Sequence, residues 1–184
     1  HGYFYHKGTG GGDGFFMILD KLDETLAQRL ERWRQAQNHH GTHHREQQQQ
    51  QQPRIMAEKL GYAQQIVDAL VYLHSQDMIF RDLKPDNIGF RGNIVQLFDF
   101  GLCRELPECR PDSDRVFTMS GVGTRRYLAP EVILGLPYNQ KLDVYSWSMV
   151  LHEMLSLQKP FDWYGHAMHM ELVVQGGERP KLPC

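Results

Sequence analysis

Three short clusters contain residues whose types and spacing could do chemistry together. Asp82, Asn87 and Asp99 carry side-chain oxygens, and Lys84 adds an ammonium group beside them. Oxygen ligands from an Asp and an Asn suit a hard cation such as Mg²⁺, which shares its remaining positions with water and phosphate oxygens. An acid outside the metal shell can orient and deprotonate an attacking hydroxyl, while the lysine offsets charge on the transferred group. The combination predicts phosphoryl transfer. The clusters read Arg81-Asp82-Leu83-Lys84-Pro85-Asp86-Asn87, Asp99-Phe100-Gly101 and Ala129-Pro130-Glu131.

Secondary-structure patterns around the clusters predict the elements that position them. Two short apolar runs, 88–90 and 94–98, flank Arg91-Gly92-Asn93 and predict a hairpin that brings the polar residues to its two ends. Before this hairpin, apolar residues at spacings of three and four predict a helix that lies against the core: Met56, Leu60, Ala63, Val67, Leu70 and Leu73. After it, apolar residues on most sides of 142–155 predict a central helix that is buried on nearly all sides. The fold class is therefore expected to be α+β.

The first part of the chain predicts a strand and a short helix. Residues 15–19 form an apolar run of strand length, and Leu26, Leu30 and Trp33 give one apolar helix face after Asp23-Glu24. The glycine cluster at 8–14 invites a phosphate-loop interpretation, but no G-x-G-x-x-G register can be placed on it. A loose turn between two strands is the favoured interpretation.

A low-complexity insert is predicted at 37–53. It contains His39-His40, His43-His44 and six consecutive glutamines at 47–52, and such a composition cannot bury a core. Adventitious metal binding by the histidines, and a role of the tract in interaction or aggregation, are the alternatives.

Composition and charge exclude several classes of protein. With 20 Lys+Arg and 22 Asp+Glu the formal net charge is −2, which argues against a nucleic-acid binder because phosphate neutralisation needs a basic surface. No apolar run approaches the roughly 18 to 20 residues that cross a bilayer. Three cysteines are too few and too irregular for a disulfide framework. We therefore expect reduced thiols, no membrane partner and a cytoplasmic or nuclear location.

In their order and separation the three clusters resemble the catalytic loop, the metal-binding loop and the end of the activation segment of eukaryotic protein kinases. The resemblance implies a protein-kinase-like fold, mainly the α-helical C-lobe with a small β-hairpin and the last strands of a truncated N-lobe. On this basis 1–184 is expected to be a partial kinase domain. Residues 1–22 would be the last N-lobe strands and the hinge, and 23–184 would be a C-lobe without its terminal helices.

The same resemblance implies a role for each site residue. Asp82 would be the catalytic base, Lys84 would contact the γ-phosphate, and Asn87 and Asp99 would hold Mg²⁺. ATP would lie against the following residues: Leu19 at the back of its pocket, the hinge backbone from Asp20 to Leu22, and Gly89, whose missing side chain leaves a thinner floor beneath adenine.

Six further residues would have supporting or regulatory roles. Arg81 resembles the arginine that pairs with a phosphorylated activation loop, and Phe100 would pack against Phe80, which stands where histidine is common. The remaining four are Thr124, which would support the base and the lysine, the candidate phosphosites Thr118 and Ser120, and Glu131, whose usual arginine partner lies in the terminal helices.

Lys84-Pro85 and 123–128 are similar to serine/threonine kinases, and 177–183 is similar to the tyrosine-kinase-like branch. The expected function is ATP- and Mg²⁺-dependent phosphoryl transfer to serine or threonine hydroxyls of a protein substrate. The alternative is a pseudokinase or scaffold that binds partners without catalysis. Because no glycine-rich nucleotide loop and no upstream strand lysine are found in the 184 residues, we expect the segment alone to have little activity.

Overall fold

The computed structural model describes the backbone of residues 3–6, 15–18, 20–38, 45–107 and 115–181, and the side chains of 20–37, 52–107 and 115–181. Its strands are β1 (Tyr3–His6), β2 (Phe15–Ile18), β3 (Glu24–Thr25), β4 (Met78–Ile79), β5 (Ile88–Arg91), β6 (Ile94–Leu97) and β7 (Arg104–Glu105). Its α-helices are α1 (Leu26–Asn38), α2 (Arg45–Ser75), α3 (Pro130–Ile133), α4 (Lys141–Ser156) and α5 (His166–Met168). Short 3₁₀ turns cover Pro85–Asn87, Phe100–Leu102 and Arg125–Tyr127, and a π-helix covers His169–Gln175.

Helix α1 confirms the apolar face that its spacing predicts. Leu26 and Leu30 are completely buried and Trp33 packs against the same core. The start differs from the expectation, because Glu24 and Thr25 form strand β3 rather than the first helical turn. The Thr25 hydroxyl accepts a hydrogen bond from the backbone N–H of Gln28, whose side chain accepts one from the Thr25 N–H. This reciprocal capping box fixes where the helix begins.

Helix α2 carries a core-facing stripe that is rotated from the predicted one. Its buried residues include Tyr62 and Ile66, whereas Met56 and Leu60 remain 43% and 50% exposed. The apolar pattern therefore placed the first turns on the wrong face, although the buried Ala63, Leu70 and Leu73 were predicted correctly. The backbone of 45–52, which the composition assigned to a low-complexity insert, belongs to this helix, which runs through Pro53.

The predicted hairpin is present as β5 and β6. The two strands pair antiparallel with Ile88 opposite Leu97, and β3 pairs with the other edge of β5. Gly92 occupies the turn with a φ of 61°, a left-handed conformation that glycine adopts without strain. The Phe98 N–H donates to the Asn87 carbonyl at 3.1 Å, so the ladder continues one step beyond the strands towards the polar clusters.

Helix α4 lies at the centre, as predicted, but it is not buried on nearly all sides. Leu142, Met149, Val150 and Met154 are buried, whereas Val144 is 53% exposed. The buried side joins two neighbouring apolar clusters. One contains residues of α1, α2 and β5, and the other contains Ile79, Leu106, Ala129 and Tyr138.

The first two strands, β1 and β2, form a separate antiparallel pair with Tyr3 opposite Ile18. This agrees with two strands around the glycine cluster, while residues 7–14, Leu19 and the four histidines lie outside the described residues. Among the helices that are described, none is both long and apolar enough to cross a bilayer. In the same part of the chain, no group of three or more His, Cys, Asp or Glu is placed to hold a metal ion.

Candidate active site

A buried aspartate on α4 holds the segment that leads into the first polar cluster. Asp143 is 0% exposed, and its two carboxylate oxygens accept hydrogen bonds from the backbone N–H groups of Phe80 and Arg81, each at 2.9 Å. The His74 ring approaches the same carboxylate at 2.9 Å. These bonds stabilise Arg81 in a left-handed conformation, with a φ of 68°, that is unusual for a side chain of this size. The turn directs the following residue, Asp82, into the site.

Asp82 lies at the centre of a network of four hydrogen bonds. Its Oδ2 accepts from Lys84 Nζ at 2.7 Å and from Asn87 Nδ2 at 2.9 Å. Its Oδ1 accepts from the backbone N–H and the hydroxyl of Thr124, both at 3.0 Å. Asp82 is 8% exposed, and both of its carboxylate oxygens accept two hydrogen bonds each, which fixes the orientation of the side chain. The structure therefore brings together four of the predicted site residues.

Gly123 places Thr124 against the carboxylate. Its φ is 119°, and a Cβ added there would lie 2.7 Å from the Arg81 carbonyl oxygen. Only glycine allows the activation segment to approach this closely. The Thr124 hydroxyl also accepts a hydrogen bond from Lys84 Nζ at 2.9 Å, so the threonine bridges the acid and the amine.

Asn87 and Asp99 occupy the same end of the β5–β6 hairpin and could hold a cation. Both described side-chain hydrogen bonds of Asn87 use its amide nitrogen, one to the Asp82 backbone oxygen and one to its carboxylate. Its amide oxygen is consequently the atom that can ligate a metal. Asp99 follows Phe98, the ladder partner of Asn87, and its exposed carboxylate caps the Phe100–Leu102 turn through a 3.4 Å bond from Gly101 N–H. One carboxylate and one amide oxygen fit Mg²⁺, which takes few protein ligands and completes its shell with water and phosphate oxygens.

The residues around Phe100 include one aromatic pair and one perturbed thiol. Phe100 meets the buried Phe80 edge to face, with ring centroids 5.4 Å apart, as predicted, but Phe100 is 48% exposed in the described structure. Burial, together with the nearby charges of Asp143 and Asp99, raises the pKa of the Cys103 thiol to about 12. At neutral pH this thiol is protonated, which makes it a poor nucleophile.

Arg81 is buried, and its described side-chain partners are neutral. Its Nε donates to the Leu102 carbonyl at 2.6 Å and its Nη1 to the Tyr138 hydroxyl at 3.1 Å. That hydroxyl donates in turn to the Ser120 carbonyl at 2.7 Å, so the arginine reaches the activation segment near the predicted phosphosites. Ser120 and Thr118 are both exposed, as a modification site requires.

The segment expected to form the hinge is tied to the hairpin. The Asp23 N–H donates to the Phe90 carbonyl at 2.8 Å, and Asp20 forms an exposed ion pair with Arg91 at 3.0 Å. The expectation that Gly89 leaves a thinner pocket floor beneath adenine is wrong. A Cβ on Gly89 would lie 2.3 Å from Leu22 Cδ1. The space that a larger residue would occupy is already filled by the leucine, whereas Phe98 was the residue expected to compensate.

Sequence reasoning missed a buried ion pair that supports the end of the activation segment. Glu153 on α4 is 2% exposed and accepts from Arg34 Nη2 of α1 and from the Tyr127 hydroxyl, each at 2.6 Å. Burial and the Glu153 carboxylate raise the pKa of Tyr127. The acidic residue in an otherwise apolar helix was the available signal. Glu131, by contrast, has no ion pair among the described residues.

Comparison with known proteins agrees with this geometry. A family model described as "Protein kinase domain" matches residues 21–178. The chain is 40% identical over 124 residues to the human serine/threonine-protein kinase Sgk2, an alignment that covers 63% of this chain and 32% of the relative. It is 39% identical over 105 residues to the serine/threonine-protein kinase nekl-2 of Caenorhabditis elegans, covering 56% and 28% of the two chains. It is 41% identical over 101 residues to the cAMP-dependent protein kinase type 3 of Saccharomyces cerevisiae, covering 54% and 23%.

The described helices surround a small hairpin at which an acid, an amide and an amine converge. The chain belongs to the protein kinase domain family, which confirms the predicted resemblance and fold class. It spans about a third or less of the length of the relatives described above. The similarity of 177–183 to the tyrosine-kinase-like branch, and the division at residue 22, stay predictions.

Proposed function

We propose that the protein carrying this chain transfers the γ-phosphoryl group of ATP to serine or threonine hydroxyls of protein substrates. The observation that carries the proposal is the Asp82 carboxylate, which is buried and held by Lys84, Asn87 and Thr124 together. A solvated turn aspartate would not accept four hydrogen bonds from three separate positions of the chain. Two of the relatives described above are serine/threonine-protein kinases, which supports this choice of acceptor.

In this proposal Asp82 accepts the proton of the attacking hydroxyl. Its four hydrogen-bond donors occupy about all the lone-pair positions that a carboxylate offers, so an incoming hydroxyl displaces one of them. The acceptor oxygen would then take a position near 3 Å from the carboxylate, which is the reach that general-base catalysis needs.

Lys84, together with a cation held by Asn87 and Asp99, would neutralise negative charge on the phosphates of ATP. Lys84 Nζ lies 2.7 Å from Asp82, so its ammonium can approach a phosphoryl group that is attacked beside the carboxylate. The Asn87 amide oxygen and the Asp99 carboxylate would hold Mg²⁺, which when bound neutralises charge on the phosphates of ATP. The backbone of Asp20 to Leu22, and Gly89 beneath Leu22, would form part of the adenine site. Thr118 and Ser120 remain proposed phosphosites, and the buried Arg81 is linked to the Ser120 carbonyl through the Tyr138 hydroxyl. The location in the cytoplasm or nucleus remains a prediction.

A pseudokinase or scaffold is the competing proposal, and one experiment separates the two. The full-length protein is incubated with radiolabelled ATP, Mg²⁺ and a set of serine and threonine peptides. We expect Asp82→Asn to lower the turnover by about 100-fold or more. The matched control is Asp86→Asn, which changes an exposed carboxylate in the same loop and is expected to retain turnover.

The outcomes of this experiment are distinct. Equal turnover in the wild type and in Asp82→Asn, with unchanged circular dichroism, would remove Asp82 from its role. Absence of turnover in the wild type, with retained binding of protein partners, would favour the scaffold. A parallel assay of the 184-residue segment tests the prediction that the segment alone has little activity.

A further inference from the structure

Arg125 directly follows Thr124, whose hydroxyl lies beside Asp82, where the substrate hydroxyl is proposed to bind. The Thr124 hydroxyl contacts Asp82 at 3.0 Å, so a substrate hydroxyl that reaches Asp82 comes close to Thr124. Consecutive Cα atoms are about 3.8 Å apart. The side chain at 125 is therefore within reach of substrate residues that neighbour the acceptor, since two residues of an extended peptide span about 7 Å.

The charge of Arg125 is not compensated by a carboxylate in the described structure. Its Nη1 donates to the His166 ring at Nδ1 and its Nη2 to the His166 carbonyl, at 2.6 Å for the second bond. Both acceptors are uncharged, because a ring nitrogen that accepts from arginine carries no proton. Among the described residues no carboxylate lies within 4.0 Å of this guanidinium, and its Nε is buried without a hydrogen-bond partner.

The next arginine provides the contrast. Arg126 forms an ion pair with Asp162 at 3.4 Å and also donates to the Pro160 carbonyl. A partly buried arginine in this turn can thus find an acid within the chain, as Arg126 does. Arg125 is equally half-buried and takes neutral partners instead.

His169 is a buried neighbour that is affected by the charges of Arg125 and Arg126. This histidine is 4% exposed, and neither of its ring nitrogens has a hydrogen-bond partner in the described structure. Burial lowers the pKa of His169, and the charges of Arg125 and Arg126 lower it further. Arg126 has Asp162 as its counter-ion, whereas no carboxylate of the described residues offsets the charge of Arg125.

We propose that Arg125 selects protein substrates with an anionic side chain, a carboxylate or a phosphate, within two residues of the phosphorylated serine or threonine. The inference rests on the proposed kinase function and names the substrate class of that site. A substrate anion would give Arg125 the counter-ion that the described chain does not provide. Charge-assisted hydrogen bonds between guanidinium and carboxylate or phosphate are among the strongest in proteins, and an arginine can form two to one anion.

The test compares peptides that differ in one neighbour of the acceptor. The full-length protein is assayed with acceptor peptides that carry Ala, Lys, Asp, Glu or phosphoserine at each position within two residues of the acceptor, on either side. We expect kcat/KM for the best anionic peptide to exceed that for the alanine peptide by about 10-fold, mostly through KM. Asp and Glu peptides report a carboxylate and phosphoserine peptides a phosphate, and the larger ratio identifies the natural source.

Variants assign the preference to one residue. In Arg125→Ala the ratio of anionic to alanine peptide should fall to about 1, and Arg125→Glu should favour the lysine peptide; Arg125→Lys should retain most of the preference. Arg54→Ala, which removes an exposed arginine of α2, is the charge-matched control and should leave the ratio unchanged. If Arg125 had only a structural role, its loss would lower the activity towards all peptides equally. The ratio of kcat/KM for the anionic peptide to that for the alanine peptide would then stay unchanged.

The failure of this inference can be told from the failure of the proposed function. Equal kcat/KM for the alanine and anionic peptides with an active wild type would overturn the selectivity alone. A preference that persists in Arg125→Ala would also overturn it. No phosphorylation of any peptide would overturn the kinase proposal and, with it, this one.

Discussion

Thr124→Val tests whether the activation segment completes the catalytic site. The change keeps the β-branched shape and the backbone N–H that donates to Asp82 at 3.0 Å. It removes the hydroxyl that donates to Asp82 and accepts from Lys84 Nζ. The perturbation is thus confined to two hydrogen bonds that involve charged groups.

The expected magnitude follows from these two bonds. A hydrogen bond to a charged group is worth roughly 1.5 to 3 kcal/mol. At the lower end of this range the two bonds together supply roughly 3 kcal/mol, and because Thr124 is only half-buried, water replaces about half of this loss. About 1.4 kcal/mol of lost transition-state stabilisation corresponds to about a tenfold decrease in rate. Thr124→Ser keeps the hydroxyl, so we expect a decrease in kcat of no more than about 3-fold.

The assay measures kcat and KM for a peptide substrate with the full-length protein and, separately, the Kd of a fluorescent ATP analogue. We expect Thr124→Val to lower kcat while the Kd of the nucleotide stays the same, because the hydrogen bonds of the Thr124 hydroxyl, among the described residues, go to Asp82 and Lys84. An unchanged kcat in Thr124→Val would refute the bridging role. An equal loss in Thr124→Ser would show that the packing of residue 124, rather than its hydroxyl, is what matters.

Three further predictions concern packing, charge and reactivity. Gly89→Ala should weaken nucleotide binding, measured as Kd, because its Cβ would meet Leu22 Cδ1 at 2.3 Å, and the added change Leu22→Ala should restore much of the affinity. Arg34→Met should lower the free energy of unfolding in urea by about 2 to 3 kcal/mol, because it leaves Glu153 buried without its cation, and Glu153→Leu in the same chain should recover part of the loss. Cys103 should react with iodoacetamide at pH 8 about a thousandfold more slowly in the folded than in the urea-unfolded protein, followed by peptide mass spectrometry, because its raised pKa of about 12 lowers the thiolate fraction. Equal affinities for Gly89→Ala and wild type, an unchanged unfolding curve for Arg34→Met, or equal alkylation rates would contradict the respective prediction.

The local patterns of the sequence were sufficient for most elements and for the members of the candidate site. The hairpin was predictable because two apolar runs on either side of a turn tripeptide rarely form another structure. Strands β5 and β6 agree with the prediction within one residue. The apolar face of α1 followed from its spacing. The face of α2 did not, because Met56 and Leu60 continue the helical spacing and yet remain 43% and 50% exposed. Periodicity shows that a face exists, whereas burial depends on what packs against it.

The spacing of residues in the sequence could not predict contacts between distant parts of the chain. Asp143 and Glu153 are the main examples, since an acidic residue in an apolar helix has no predictable partner until the chain folds. Leu22 filling the space beside Gly89 is a third, as the two residues are far apart in sequence.

The sequence alone determined the family and the members of the central polar cluster, because residue types and short spacings specify which groups can meet within one loop or hairpin. Asp82, Lys84 and Asn87 lie within six residues of each other, so their proximity follows from local geometry. Only the tertiary structure decided that Thr124 closes the network around Asp82 and that Arg125 finds neutral partners. These two facts depend on a left-handed glycine at 123 and on the packing of distant segments against α4, and long-range packing of this kind cannot be derived from a local pattern.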